Sequence, residues 1–337
     1  MEYVANPHSK NMVEYGKKRP NVLVLSGDLT GSTEITEFKK QLPNQFVSMG
    51  MAEQNMLSWA GGLAREGFVP FLHTFAVFLY RRPYDQLSMS VAYPNLKVRL
   101  LGFLPGIMTP GGVTHQAIED IAVLRSVPNM TILETADATE VETILDATDE
   151  INGPVYIRML RGNLPRLFPK DEPFKVNCAR KLSDGDDLTV ISSGICTEEA
   201  MKAVQLLSEE GLKIKHLHIS TLKPFTDEKV LEALRESKEV ITIENHTIIG
   251  GLGTAVSDMI TENGLGVKLY KLGINDQYGH GASKEYLMRK FKIDAMGLIE
   301  KIEEIKGIKF GIKEEKIASF NVNSQKEVLK ETQLEAL

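Results

Sequence analysis

The chain has 337 residues, 42% hydrophobic and 25% charged, with a formal net charge of −6 at pH 7. Such a composition is that of a globular protein with room for two substantial cores, and the negative balance argues against nucleic acid or an anionic membrane as the main partner. No apolar run is long enough to span a bilayer, the start MEYVANPHSKN lacks a secretory apolar segment, and two cysteines, Cys178 and Cys196, make neither a disulfide framework nor a zinc site, so the expectation is a cytoplasmic protein with reduced thiols.

In chain order, the first half alternates short apolar runs with helical patterns. NVLVLSGD, FVSMG, VPFLHTF, KVRLLG, MTILE and PVYIRM read as strands; AEQNMLSWAGGLAREG, IEDIAVLRSV and ATEVETILDATDEI read as helices between them. This alternation predicts a parallel sheet covered by helices on both faces, with chemistry collected at the carboxyl ends of its strands. The proline-rich stretch RGNLPRLFPKDEPFKVN interrupts it and reads as a linker. LTVISSG, KIKHLHIS, EVITIEN and VKLYKLGI then resume the alternation, with TEEAMKAVQLLSEEG and EKVLEALRESK among the helices. The prediction is an α/β protein of two doubly wound domains, a larger, mostly parallel one over 1–165 and a smaller one over 181–308. A linker over 166–180 joins them and a charged C-terminal appendage covers 309–337.

Several strand ends carry candidate chemistry. Glu53, in MGMAEQNM, is the one acid of an uncharged stretch and opens a helix whose apolar positions are Met56, Trp59, Ala60 and Leu63. A carboxylate there is stabilised by the helix dipole, by about 0.3–1 kcal/mol, and that bland role competes with a catalytic one. Asp28 ends the first strand, followed by the hydroxyls of Thr30 and Ser32; it is equally a turn acid or the lip of a ligand site. Phe75 and Phe78 suit a core or a wall for a flat heterocycle. A Pro-Gly-Gly turn delivers Thr114, His115 and Gln116 to a helix start, where they suit a hydrogen-bonding pocket floor. Arg158 and Arg161 end a strand, where a guanidinium offers paired donors to a phosphate or carboxylate. Gly251-x-Gly253 follows a strand but lacks the third glycine of a dinucleotide fingerprint; close packing of loop and helix explains it better. His216 and His218 read as structural, and no cluster has metal-ligand spacing.

Together GDLTGS, GMAEQNM, TFAVF, GGVTHQ and MLRGNL, followed by LKPFT and ENHTIIGGLGTAV, resemble the transketolase family of thiamine-diphosphate enzymes over about residues 8–308. The resemblance implies a pyrimidine-binding domain followed by the family's C-terminal domain. It implies that Glu53 contacts N1′ of the cofactor's aminopyrimidine and, protonated, drives the ring to the imino tautomer whose 4′-nitrogen takes the thiazolium C2 proton. A carboxyl must keep its proton to donate there, and burial favours the uncharged form. By the same resemblance Phe75 and Phe78 flank the aminopyrimidine and Asp28 lies near the cofactor. His115 bonds the donor's C1 hydroxyl with Gln116 beside it, and Ser32 and Arg161 hold the sugar's terminal phosphate.

The chain departs from the family in two ways. The half that holds magnesium on the diphosphate, with its Gly-Asp-Gly motif, is not in this sequence. The resemblance is therefore to the C-terminal subunit of a split transketolase, which needs an N-terminal partner subunit, forms an α2β2 heterotetramer with it, and shares thiamine diphosphate and Mg²⁺ held mainly by that partner. Two clamp positions also differ: Asn6 and Phe103 stand where the family has Arg and His, and Arg81 stands where a tyrosine is common. Either Arg81 or Arg82 compensates, or the far end of the substrate is not the usual phosphate. Competing enzyme readings are a deoxyxylulose-phosphate-synthase-like half and the β subunit of a 2-oxoacid dehydrogenase. A non-enzymatic reading is an orphan scaffold subunit.

Overall fold

The apolar runs are strands of two sheets in the computed structural model, which describes residues 1–320 and 322. The larger sheet has seven strands in the spatial order Thr221–Lys223, Thr131–Glu134, Val155–Met159, Arg99–Phe103, Val69–Phe75, Val22–Ser26 and Phe46–Ser48. All pair in parallel except Thr221–Lys223, which joins the edge antiparallel. Its central strands, Arg99–Phe103 and Val155–Met159, are buried along their whole length, as expected where helices cover both faces. From Val22–Ser26 the chain first steps outward to Phe46–Ser48 and then returns across it to Val69–Phe75. The reversal opens a crevice beyond the carboxyl ends of these three strands, where ligands of such sheets bind.

The second sheet has the order Lys268–Ile274, Glu239–Thr247, Leu188–Ser193, Ile214–Ile219 and Arg180–Ser183, parallel except for the last. The two halves are joined by more than their connection. Thr221–Lys223, between two elements of the second half, completes the first half's sheet. Arg158, fully buried, donates to Asp120 (2.9 Å), to Glu134 and to the Asn245 carbonyl (2.9 Å). Asn245 in turn accepts from the Ile107 amide (3.0 Å) and donates to the Pro105 carbonyl (3.1 Å). Arg158 therefore holds the halves together from within the core, whereas its place at a strand end offered it, with Arg161, as a donor to a phosphate or carboxylate.

The expected linker differs from a free tether. Leu167, Phe168 and Phe174 are buried, and Asp137 accepts the amides of Leu167 and Phe168, both at 2.9 Å. Apolar side chains between the prolines supply the packing that a count of prolines hides. Of the expected appendage, a short helix Glu314–Ser319 is seen, while residues 321 and 323–337 lie outside the described residues. The glycine loop packs closely, as expected. A Cβ on Gly251 would stand 2.0 Å from Glu244 Oε2, and that carboxyl accepts the amides of Leu252 (2.6 Å) and Gly253 (2.8 Å) at the start of helix Leu252–Glu262. His216 bonds Ser192 at 2.8 Å and His218 bonds Thr197 at 2.8 Å, all buried within the second half's sheet and helix. No helix of the described residues is long and apolar enough to cross a membrane.

Candidate active site

Glu53 is the first residue of helix Glu53–Arg65 and is 1% exposed. The sequence placed it in the first turn; the fold adds that the helix starts at the crevice. A Cβ on Gly27, one residue past the strand Val22–Ser26, would lie 3.7 Å from Glu53 Oε1 and 3.1 Å from Thr74 Oγ1. The carboxyl thus sits between the ends of the strands Val22–Ser26 and Val69–Phe75. Glu53 Oε2 and Thr74 Oγ1 are both buried without a hydrogen-bond partner. Arg82 Nη1 approaches Glu53 Oε2 at 3.3 Å as an ion pair, outside hydrogen-bond geometry. Buried polar atoms are almost always bonded, so orphaned oxygens in a crevice fit a ligand that brings a donor.

An aromatic wall stands beside this acid. The rings of Phe75 and Phe78 lie 6.1 Å apart and nearly parallel, both half-buried. Phe78 is carried by a short helix, Ala76–Tyr80. The His115 ring meets both edge-on, at 6.2 and 5.5 Å, and its Nδ1 bonds Thr114 Oγ1 at 2.9 Å. Arg81 fixes that loop. Its guanidinium takes both oxygens of Glu119 (2.7 and 2.9 Å) and the carbonyls of Val113 and Gln116 (3.0 Å each). Gln116 is buried, and its amide nitrogen donates to the His280 carbonyl at 3.1 Å while Oε1 is unpartnered. Asp28 is exposed, in left-handed backbone with φ 65°.

The residues of the expected phosphate clamp converge, except one. Arg161 Nη1 donates to the Ser32 carbonyl at 3.0 Å, and the Asn6 amide donates to the Gly162 carbonyl at 2.7 Å. Phe103 is fully buried, its ring packed by His8 at 5.3 Å and His73 at 5.9 Å, so it belongs to the core beneath the site. His8 and His73 share an Nε2–Nε2 contact of 3.0 Å, and burial pushes His73 down to about 4 and His8 well below the usual range. The compensation expected of Arg81 or Arg82 has no geometric support: they pair with Glu119 and Glu53. Sequence reasoning missed Glu34, whose Oε1 accepts the Gly162 amide at 2.5 Å. The signal was an acid in STEIT lying before the helix Thr36–Gln41 instead of capping it.

The fold and the site define an α/β protein with an acid-and-aromatic crevice at a strand-order reversal. Residues 6–166 match the family model described as transketolase, pyrimidine binding domain, and residues 178–297 match transketolase, C-terminal domain. The chain belongs to the transketolase family, and so to the thiamine-dependent enzymes. It is 36% identical to a putative transketolase C-terminal section of Methanocaldococcus jannaschii, covering 88% of this chain and 94% of that one. It is 35% identical to a 6-deoxy-6-sulfo-D-fructose transketolase subunit of a Clostridium species, covering 87% and 91%. A solved structure described as a split gene transketolase, inactive β4 tetramer, is 36% identical with a TM-score of 0.81, covering 88% of this chain and 96% of that chain.

The residues present fit the aminopyrimidine half of thiamine diphosphate: a buried carboxyl oxygen without a hydrogen bond for a ring nitrogen, beside two stacked phenyl rings. Among the described residues no group of three or more His, Cys, Asp or Glu is arranged to hold a metal ion.

Proposed function

We propose that this chain is the pyrimidine-binding subunit of a split transketolase that moves a two-carbon ketol unit from a ketose to an aldose. The observation that carries this is Glu53 Oε2, buried without a hydrogen bond, with only the Arg82 guanidinium near it at 3.3 Å, beside the stacked rings of Phe75 and Phe78. Thiamine diphosphate supplies the electron sink that cleavage of a ketose carbon–carbon bond needs. Glu53, buried at the strand-end crevice, exchanges a proton with the aminopyrimidine nitrogen. Phe75 and Phe78 fix the ring by stacking, and Asp28 lines the cofactor's approach. His115, set edge-on against both rings, hydrogen-bonds a donor hydroxyl, with Gln116 steadying its loop. Ser32 and Arg161 meet the donor's far end.

The diphosphate and Mg²⁺ fall to an N-terminal partner subunit, in a cytoplasmic α2β2 assembly. The exposed Met51, Trp59, Met89 and Tyr93, on and beside helix Glu53–Arg65, support an apolar contact surface near the site. Co-purification with a diphosphate-binding subunit, followed by a ketose–aldose exchange assay with thiamine diphosphate and magnesium, tests the reading. Exchange only in the assembled pair is the expected result. Decarboxylation of a 2-oxoacid by the same pair, without ketol exchange, overturns it.

A further inference from the structure

Two adjacent arginines follow the helix Ala76–Tyr80 and are used differently. Arg81 is committed, forked onto Glu119 and bonded to the carbonyls of Val113 and Gln116. Arg82 is held more loosely, with its side chain 41% exposed. Its Nη1 lies 3.3 Å from Glu53 Oε2, outside hydrogen-bond geometry, and its guanidinium carbon lies 4.1 Å from the centre of the Phe78 ring. One guanidinium reaches both, so it covers the face of Phe78 that is turned to the acid.

We propose that Arg82 is a negative determinant of cofactor affinity: its guanidinium takes the aminopyrimidine's place between Glu53 and Phe78, and the ring binds by displacing it. The inference rests on the transketolase reading and adds a residue that the ring must move. A heterocycle that bonds Glu53 Oε2 and stacks on Phe78 needs the space between them, where the guanidinium stands. The two groups are also alike in chemistry. A guanidinium is planar, carries N–H donors and stacks on aromatic faces. An aminopyrimidine is flat, stacks on the same kind of face and bonds the same oxygen, so a site shaped for one accepts the other. The exchange favours the ring. Oε2 has no hydrogen bond while the arginine is beside it, and a protonated ring nitrogen supplies one. The displaced guanidinium loses little, because its side chain already reaches water and a partly exposed ion pair is weak. Arg82 lies past the end of the helix that carries Phe78, so rotation of its side chain clears the space with the ring left in place.

The test is calorimetry on the assembled pair, in wild type, Arg82→Met and Arg82→Lys, with two probes: thiamine diphosphate with Mg²⁺, and magnesium pyrophosphate, which lacks the ring. Arg82→Met keeps the length of the stem and removes the charge and the planar fork. It should bind thiamine diphosphate about threefold to tenfold more tightly than wild type, the scale of one exposed ion pair with one cation–π contact. Arg82→Lys keeps the charge without the flat fork and should fall between the two. Pyrophosphate should bind all three equally, which also shows that the variants fold and assemble. Weaker or unchanged cofactor binding in Arg82→Met overturns the proposal, the weaker case making Arg82 a holder of the ring. Equal tightening toward cofactor and pyrophosphate overturns it too, since that is a general effect of charge. Failure of the assembled wild type to bind thiamine diphosphate overturns the transketolase reading itself.

Discussion

Arg82 links the buried acid of the site to its aromatic wall: Nη1 is 3.3 Å from Glu53 Oε2, and the guanidinium carbon is 4.1 Å from the centre of the Phe78 ring. The arginine side chain is 41% exposed and the glutamate side chain 2%, so the pair is screened on one side only. Glu53→Gln should therefore cost no more than about 1 kcal/mol of stability, the range of partly exposed ion pairs. In the assembled enzyme it should remove activity by about 10²-fold or more, as loss of an acid–base group does. Denaturant unfolding reads the first effect, and hydrogen–deuterium exchange at thiazolium C2 of added cofactor reads the second. Near-normal exchange in the variant refutes the role of Glu53.

The chain by itself should bind thiamine diphosphate weakly. An aromatic wall and one carboxyl suit a heterocycle and offer nothing to a magnesium diphosphate, and no cluster of ligands for the ion is found among the described residues. Calorimetry of the isolated chain with cofactor and Mg²⁺ should show no tight, metal-dependent binding. If it does, the partner is not needed for the cofactor.

Arg81 and Glu119 make a bidentate pair that also holds two carbonyls of the His115 loop. Arg81→Met should free that loop without emptying the core, since the arginine is about a third exposed. Amide hydrogen exchange across residues 111–116 should speed up. In the assembled enzyme kcat/KM should fall by about tenfold, since a loosened loop misplaces His115 by fractions of an ångström. Exchange unchanged over those residues removes the positioning role.

Stability should depend on pH in two opposing limbs. Burial pushes His73 down to about 4 from an ordinary 6.5, so the fold prefers its neutral ring. That contribution is full above about pH 6.5 and is lost as pH falls through 4, at about 1.4 kcal/mol per pH unit. His246, pushed down to about 4, and His216, to about 3, act in the same direction. Glu244 is pushed up to about 7 by burial, so its contribution is full below 4.5 and is lost as pH rises through 7. His73→Gln should flatten the acid limb and Glu244→Gln the neutral one in unfolding titrations from pH 4 to 8. Parallel curves for wild type and variants dismiss both assignments.

The strands were legible because parallel strands buried on both faces read as short apolar runs, and Arg99–Phe103 and Val155–Met159 are such runs despite an arginine in each. Glu53 was legible as a helix-opening acid; that its Oε2 is buried without a hydrogen bond was not, because Gly27 and Thr74, which close around it, come from other strands. Arg158 looked like Arg161, a basic residue near a strand end. Only the fold separates them, one threaded between Asp120, Glu134 and Asn245 and the other reaching the loop of Ser32. Phe103 illustrates the converse. Its place in the motif order suggested the donor's far end, but its strand faces it inward against two histidines.

The strand Thr221–Lys223 has a consequence for modularity. Two sequence-contiguous domains are ordinarily separable by cutting between them, yet here the second one lends a strand to the first one's sheet. A fragment ending near residue 180 keeps Glu53, Phe75, Phe78 and His115 but loses the His280 carbonyl that holds Gln116 and bares the edge of Thr131–Glu134, a ready surface for pairing with another chain. Exchanging the first half alone between related enzymes should thus yield aggregating proteins, while exchange of both halves together preserves solubility. The inheritable unit of this architecture is the pair of halves, and its smallest crystallisable or transplantable piece runs past the strand that crosses over.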